Sequence, residues 1–135
     1  MRTVFADTGY WVALLNPHDQ LHDKANSVST SLGQTRIVTS EMVLDELLAS
    51  LSAPPARAVV IAAVNNIVSN PNVEVVPQTS LQFREAFDLY KTRTDKEWSL
   101  TDCASFNLMK ERSITEALAH DEHFQQTGFV ALLRS

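Results

Sequence analysis

The chain alternates short apolar runs with longer segments of helical character. The apolar runs are mostly rich in β-branched residues and are bounded by turn-forming or charged residues, and they occupy positions 3–6, 36–39, 72–76, 115–119 and 129–132. Such runs predict β-strands. Parallel strands need crossover connections, which are usually helices that cover both faces of the sheet. The expected fold is therefore α/β: a three-layer α/β/α sandwich with a central parallel sheet.

The segments between the strands carry helix signals. Ser40 is a favoured N-cap residue, and it precedes a stretch whose Leu and Val side chains recur on one helical face. The stretch at 56–68 consists largely of Ala, Val and Ile, so we expect it to be buried on most of its circumference. Together these signals predict helices at 10–15, 20–32, 41–51, 56–68, 80–94, 100–112 and 121–126.

The length and composition indicate one domain over residues 1–135. The chain has 44% apolar and 20% charged residues, which is typical of globular proteins. Cys103 is the one cysteine, so no intrachain disulfide can form and a reducing, cytoplasmic location is expected. Asp7 interrupts the apolar start of the chain, so no membrane helix is predicted. The net charge of −5 argues against charge-driven coating of nucleic acid.

Four acidic residues are candidates for a binding site at one end of the predicted parallel sheet. Asp7 and Asp121 follow predicted strands, and ligands bind beyond the carboxyl ends of such strands. Glu46 and Asp102 lie on the helices predicted at 41–51 and 100–112. Carboxylates that share a small volume repel one another unless a cation neutralises them, and Mg²⁺ or Mn²⁺ prefers oxygen ligands. The set is either a metal-dependent phosphoryl-transfer site or four unrelated acids.

Each of these acids also has an ordinary structural explanation. Asp102 follows Ser99 by three residues, as in a capping box, and Asp121 can cap the helix that follows it. An acid directly after a strand is often a turn residue. Asp45 adjoins Glu46, and periodicity alone does not select between those two. The residues by themselves therefore leave both interpretations open.

Three blocks of the sequence resemble the PIN-domain ribonucleases. They are VFADTGYWVALLNPHD at 4–19, VTSEMVLDELLASL at 38–51 and WSLTDCASFNLMKERSITEALAHDEHFQQTGF at 98–129. The resemblance covers essentially the whole chain in the family's order, and the C-terminal block is its most specific part. It is closest to the VapC-like toxin nucleases of bacterial toxin–antitoxin pairs.

The resemblance implies an activity, a cofactor and partners. Endonucleolytic cleavage of RNA with Mg²⁺ or Mn²⁺ is expected, and Asp7, Glu46, Asp102 and Asp121 match the family's acidic quartet. Asp7 and Asp102 would be the main direct metal ligands, with Glu46 and Asp121 completing the charge and positioning water. A homodimer and an antitoxin that holds the enzyme inactive are also implied. Ala119 departs from the pattern, because many relatives carry Thr or Ser two residues before the last acid.

One basic stretch is accompanied by aromatic residues. Its cations lie in or just after the helix predicted at 80–94, and they are Arg84, Lys91, Arg93 and Lys96. They could hold RNA phosphates while Tyr90 or Trp98 stacks on an unpaired base. The alternative is a solvated helix end whose aromatic residues belong to the core.

Histidines flank the last acid. His120 and His123 stand on either side of Asp121 and could touch a substrate. We interpret both as surface histidines beside a helix cap, since a metal-bound water can supply the nucleophile without them.

Other functional classes fit the residues less well. Asp7-Thr8-Gly9 spells the aspartic protease signature, but those proteins are nearly all β and keep a small residue where Tyr10 stands. A haloacid-type phosphatase needs a second aspartate at the position of Gly9. A catalytically inactive PIN-like binding module and a PIN nuclease outside any toxin–antitoxin pair remain as alternatives. Ala119 favours the inactive module, and the presence of all four acids opposes it.

Overall fold

The structure is a computed structural model that describes residues 1–134. Within those residues a five-stranded sheet forms, and all of its pairings are parallel. Its strands are β1 (Arg2–Ala6), β2 (Thr35–Ser40), β3 (Val73–Val76), β4 (Glu116–Leu118) and β5 (Val130–Ala131). They lie in the order β3-β2-β1-β4-β5. The predicted central parallel sheet is confirmed.

Helices connect the strands and cover the sheet. They are α1 (Thr8–Leu15), α2 (His22–Ser31), α3 (Glu41–Ser50), α4 (Ala56–Ser69), α5 (Ser80–Thr92), α6 (Leu100–Glu111) and α7 (Glu122–Gln126). Every helix predicted from the sequence is present, with ends displaced by no more than two residues. The α/β/α fold is thereby confirmed. No helix within residues 1–134 has the length and apolar character needed to cross a membrane.

The order of the strands reverses at β1. The chain proceeds from β1 to β2 and β3 on one side, and β4 and β5 then occupy the other side of β1. Phe5 and Ala6 of β1 pair with Ala117 and Leu118 of β4. Open parallel sheets bind ligands beyond the carboxyl ends of the strands at such a reversal. The residues directly after β1 and β4 therefore lie where this fold forms a binding site.

An aromatic cluster fixes α7 against α6. Phe106 of α6 packs edge-to-face against Trp98 and against Phe124 of α7, with ring centroids 5.1 Å apart in both pairs. Pairs of this geometry contribute about 0.5–1.5 kcal/mol beyond the area that they bury. Because Asp102 and Asp121 stand at the starts of these two helices, the cluster also sets the distance between those acids.

An ion-pair cluster on the surface joins β2, β3 and the end of α6. Glu74 of β3 accepts a hydrogen bond from Arg36 of β2 (3.1 Å) and two from Arg112 (3.0 and 2.8 Å). The Arg112 guanidinium, followed by that of Arg36, lowers the pKa of Glu74 to about 2. The cluster therefore ties the edge strand β3 to the sheet and to α6.

The prediction that the helix at 56–68 is buried on most sides is wrong. Val60 and Ile67 of α4 are buried, whereas Val59, Ile61 and Val68 are at least half exposed. The helix packs against α3 and against the edge strand β3, so only one of its sides meets the core. Ala, Val and Ile occur on both sides of α4, and composition alone does not specify which neighbours a helix will have.

The last strand is shorter than the predicted run at 129–132. Its pairing ends at Ala131, and a 3₁₀ helix follows at Leu132–Arg134. The backbone N–H of Leu133 donates to the carbonyl of Ala119 (3.0 Å), and the Leu133 side chain is buried. The apolar run thus continues beyond the strand because its side chains still pack into the core.

Candidate active site

Asp7 directly follows β1 and precedes α1. Its backbone N–H donates to the carbonyl of Leu118 (3.2 Å), the last residue of β4. The reversal of strand order therefore fixes its position. Its side chain makes no cap hydrogen bond to the described backbone of α1. The fold thus does not use this carboxylate as a helix cap.

The carboxyl group of Asp7 is partly buried among like charges. Burial raises its pKa to about 7, and the charges of Asp102, Glu46 and Asp121 add to the rise. The backbone N–H of Thr8 acts in the opposite direction. Like charges raise a pKa strongly only at short range. The four acids selected from the sequence all line one surface depression.

Glu46 reaches the site from α3. Ser40 caps this helix by accepting a hydrogen bond from the Val43 N–H (3.2 Å), as predicted. The hydroxyl of Thr8 donates to Glu46 Oε1 (2.7 Å), which orients the carboxylate beside Asp7. Asp45 is exposed on the outer side of the helix. The structure thus selects Glu46 from the adjacent pair, which periodicity alone did not.

Asp102 lies at the start of α6 and serves the fold as well. It forms a capping box with Ser99: the Asp102 N–H donates to Ser99 Oγ, and the Ser99 N–H donates to Asp102 Oδ2, both at 3.0 Å. The carboxylate is nevertheless part of the acidic cluster. Asp102 therefore caps α6 and also contributes a carboxylate to the acidic cluster.

Asp121 behaves in the same way at α7. It is the N-cap residue, and its Oδ1 accepts a hydrogen bond from the backbone N–H of His123 (3.0 Å). Its side chain is about half exposed (48%), in contrast to that of Asp102 (15%). Asp121 therefore forms the outer edge of the cluster.

His123 contacts two of the acids, and our interpretation of it as a surface histidine is wrong. Its Nδ1 lies 3.0 Å from Asp102 Oδ2 and 3.3 Å from Asp121 Oδ1, and its side chain is 18% exposed. His120 is exposed, as expected. The sequence gives no signal for the contact, because Asp102 is 21 positions away on another helix.

The four acids line one surface depression, which we call the acidic depression. Its other lining residues include Glu97, Ser99, His120, Glu122, His123 and Arg134. Within residues 1–134, no three acidic, His or Cys side chains already converge as a preformed metal-binding group. Hydrogen bonds from Thr8, Ser99 and His123 engage carboxylates of the cluster. The donor set nevertheless fits a hard divalent cation, since four carboxylates supply only oxygen ligands and excess negative charge.

Ala119 is fully buried and carries no hydroxyl. The hydrogen bond expected from that position in relatives is therefore missing here. A hydroxyl still reaches the cluster from another position, because Thr8 donates to Glu46.

The predicted basic strip is largely paired with acids. Lys91 lies 3.4 Å from Asp88, and Arg93 binds Asp95 through two hydrogen bonds (2.9 and 3.0 Å). Arg84 lines a separate groove beside Glu41. These contacts reduce the charge that the strip offers to RNA.

A second cleft lies between α5 and the start of α6, and we call it the aromatic cleft. Its lining includes Phe83, Phe87, Tyr90, Arg93, Lys96 and Trp98. Phe83, Phe87 and Tyr90 form a row along α5 with neighbouring ring centroids 6.4 Å apart, and each is between 43% and 48% exposed. Glu97 and Ser99 line both this cleft and the acidic depression, so the two are contiguous.

Trp98 does not present its ring to a ligand. It is 6% exposed, its Nε1–H donates to Gln126 (2.8 Å), and Arg93 lies 4.9 Å from its ring centroid. The suggested stacking of a base on Trp98 is therefore wrong, whereas Tyr90 is accessible for such contact.

Comparison with known proteins identifies relatives along nearly the whole chain. Residues 4–130 match the PIN domain family. The chain is 32% identical over 128 residues to the 23S rRNA-specific endonuclease VapC20 of two Mycobacterium tuberculosis strains, CDC 1551 / Oshkosh and ATCC 25618 / H37Rv. The match covers 94% of this chain and 95% of each relative.

Solved structures show the same architecture. The crystal structure of Mycobacterium tuberculosis VapC20, described as a Sarcin-Ricin loop cleaving toxin, aligns with a TM-score of 0.86 and 29% identity, covering 94% of this chain and 96% of that one. FitAcB from Neisseria gonorrhoeae aligns with a TM-score of 0.63 and 14% identity over 95% of each chain, which supports the fold alone.

Proposed function

Because the chain belongs to the PIN-domain family, we propose that it is an endoribonuclease that cleaves single-stranded RNA at the acidic depression. The observation that carries this proposal is the crowding of Asp7, Glu46, Asp102 and Asp121 into one surface depression. Such crowding opposes folding unless a ligand neutralises it. The endonuclease activity named for the two mycobacterial relatives supports the same reaction.

We propose Mg²⁺ or Mn²⁺ as the cofactor. Asp7 and Asp102 would be the main direct ligands, and Glu46 and Asp121 would complete the charge and position the attacking water. When bound, the cation would activate a water and offset the charge that builds up on the phosphate. The Thr8 hydroxyl supports this arrangement by holding the Glu46 carboxylate in place.

We propose the aromatic cleft as the path of the RNA strand next to the cleaved bond. The cleft is contiguous with the acidic depression through Glu97 and Ser99. A chain with net charge −5 gains little long-range attraction for a polyanion, so stacking is the main source of affinity left to it. Tyr90 and Phe87 offer accessible rings, while Lys96 can contact phosphates.

We propose that the chain is the toxin of a toxin–antitoxin pair, with a loop of ribosomal RNA as the substrate class. The names of the VapC20 relatives support both parts. A small antitoxin and a second copy of the chain are the expected partners. The exposed Val59, Ile61 and Val68 of α4 provide apolar surface for a protein partner. An RNA substrate and the free thiol of Cys103 support action in the cytoplasm.

Cleavage of end-labelled RNA with and without EDTA tests the reaction. We expect cleavage with Mn²⁺ or Mg²⁺, its loss in EDTA and its loss in Asp7→Asn. Cleavage that persists in EDTA or in that variant would overturn the proposal. Binding of RNA without cleavage under every metal condition would identify a catalytically inactive binding module instead.

Co-purification tests the toxin assignment separately. We expect the product of a short adjoining reading frame to co-purify with the chain and to inhibit cleavage. An active nuclease with no such inhibitory neighbour would be a PIN nuclease outside any toxin–antitoxin pair.

A further inference from the structure

His123 is fixed between two of the acids by three contacts. Its Nδ1 lies 3.0 Å from Asp102 Oδ2 and 3.3 Å from Asp121 Oδ1, and its backbone N–H donates to Asp121 Oδ1 (3.0 Å). The ring is largely enclosed, and α7 is held against α6 by the contact of Phe124 with Phe106. The fold thus fixes the positions of both the backbone and the side chain of His123.

The nitrogen that faces the acids carries the proton. An ionised carboxylate only accepts hydrogen bonds, so the short contact with Asp102 requires Nδ1 to be the donor. Arg134, another basic residue lining the acidic depression, donates its Nη1–H to the carbonyl of His120 (2.7 Å). Of His123 and Arg134, it is therefore His123 that hydrogen-bonds a carboxylate of the acidic quartet.

The hydrogen bonds that Asp102 accepts fall on one oxygen. The Ser99 N–H and His123 Nδ1 both bind Oδ2, and within residues 1–134 no hydrogen bond engages Oδ1. A carboxylate held by one oxygen keeps a fixed orientation while the other oxygen remains available to a cation. Groups that orient metal ligands in this way affect metal affinity without touching the metal.

We propose that His123 is a positioning residue for the metal site: its Nδ1–H holds Asp102 by Oδ2 so that Oδ1 can bind a divalent cation. This inference rests on the proposed function. A lysine at this place would bring a permanent charge that competes with the cation, whereas an imidazole can donate without adding charge. His123 Nδ1 also lies 3.3 Å from Asp121 Oδ1, so His123 links the acids at the starts of α6 and α7.

The test measures Mn²⁺ affinity by titration calorimetry on the full chain without RNA. His123→Leu removes the donor and should weaken Mn²⁺ binding about 10- to 100-fold. His123→Asn places an amide N–H near the position of Nδ1 and should restore affinity to within about threefold. His18→Leu, at an exposed histidine that does not line the acidic depression, is the matched control and should bind as the parent does. Melting temperatures in EDTA identify variants that fail to fold.

The outcomes separate this inference from the proposed function. A parent protein that does not bind Mn²⁺ would overturn the metal site itself, and the inference with it. A parent that binds while the folded His123→Leu variant binds equally well, or more tightly, would overturn the positioning role alone. Loss of affinity in both the Leu and Asn variants would also count against it, because a retained donor would then not matter. Rescue by Asn but not by Leu supports it.

Discussion

The backbone N–H of Asp7 donates to the carbonyl of Leu118, so the acid that follows β1 is bonded to the last residue of β4. This bond places Asp7 at the reversal of the strand order, with Asp121 three residues beyond Leu118. Two acids from distant parts of the sequence thus meet because two strands are neighbours. The site is a direct product of the sheet topology.

Substitution of Asp7 should stabilise the metal-free protein in a pH-dependent way. The folded pKa of about 7 lies above the ordinary aspartate value of 3.8, so the folded state binds the proton more tightly and loses stability as the pH rises from about 4 to 7. One pKa unit corresponds to about 1.4 kcal/mol. Water still reaches the partly exposed Asp7 carboxyl, so the destabilisation is smaller than the full pKa shift implies. We therefore expect Asp7→Asn to be more stable than the parent by ~2 kcal/mol at pH 8.

Urea unfolding in EDTA at a series of pH values measures this difference. The advantage of Asp7→Asn should shrink toward pH 4, where the parent's carboxyl is protonated in the folded state. A difference that is constant across the pH range would show that repulsion at Asp7 is not its cause.

Asp102→Asn should remove stabilisation by Mn²⁺ while leaving the metal-free melting temperature unchanged or raised. An amide oxygen can still accept the Ser99 N–H, so the helix cap is retained. A ligand at 100 times its dissociation constant stabilises a protein by about 2.7 kcal/mol. Thermal melts with and without Mn²⁺ measure both quantities, and an equal Mn²⁺ shift in variant and parent would exclude Asp102 as a ligand.

Glu46→Gln should reduce RNA cleavage about a hundredfold, whereas Asp45→Asn should leave it within about twofold. The amide of the first variant still accepts the Thr8 hydroxyl, so the fold is preserved and only the charge is lost. Asp45 is the matched control because it is the adjacent, exposed acid on α3. Single-turnover rates measure the effect; equal rates for the two variants would contradict the assignment of Glu46.

Tyr90→Ala should weaken RNA binding with little change in the rate at saturating RNA. Stacking of a base on an aromatic ring contributes about 1–3 kcal/mol, which corresponds to roughly 5- to 150-fold in affinity. Leu81→Ala is the control, since Leu81 is an exposed apolar residue of α5 that does not line the aromatic cleft. Unchanged KM for RNA together with weaker binding of a protein inhibitor would mean that the cleft receives a protein instead.

Glu74→Gln should destabilise the protein by about 0.5–1 kcal/mol at pH 7, because the surface cluster is screened by solvent. The folded pKa of about 2 lies below the ordinary glutamate value of 4.5, so the stabilisation is present above pH 4.5 and is lost as the pH falls toward 2. Unfolding midpoints of the parent and variant should therefore converge at low pH and at high salt. Glu85→Gln, an exposed acid on α5, should show no such dependence.

The sheet and the helices were predictable because their signals are local. Short apolar runs and helix caps such as Ser40 act within a few residues, and the positions of Asp7 and Asp121 follow from the strands before them. Helical periodicity did not distinguish Glu46 from Asp45, since the distinction depends on the contact of Glu46 with Thr8 of α1. The exposure of Val59, Ile61 and Val68 and the contact of His123 with Asp102 depend on which elements become neighbours, which no local pattern specifies.

Asp102 and Asp121 cap the starts of helices, whereas Asp7 caps none. We expect the Asp7 carboxylate to lower the stability of the metal-free fold, because its pKa is raised. In related genes whose products have lost activity, we therefore expect Asp7 to be substituted early and the capping residues Asp102 and Asp121 to be retained longer. When a genome is surveyed for working copies, an intact residue at position 7 is accordingly more informative than intact residues at 102 and 121.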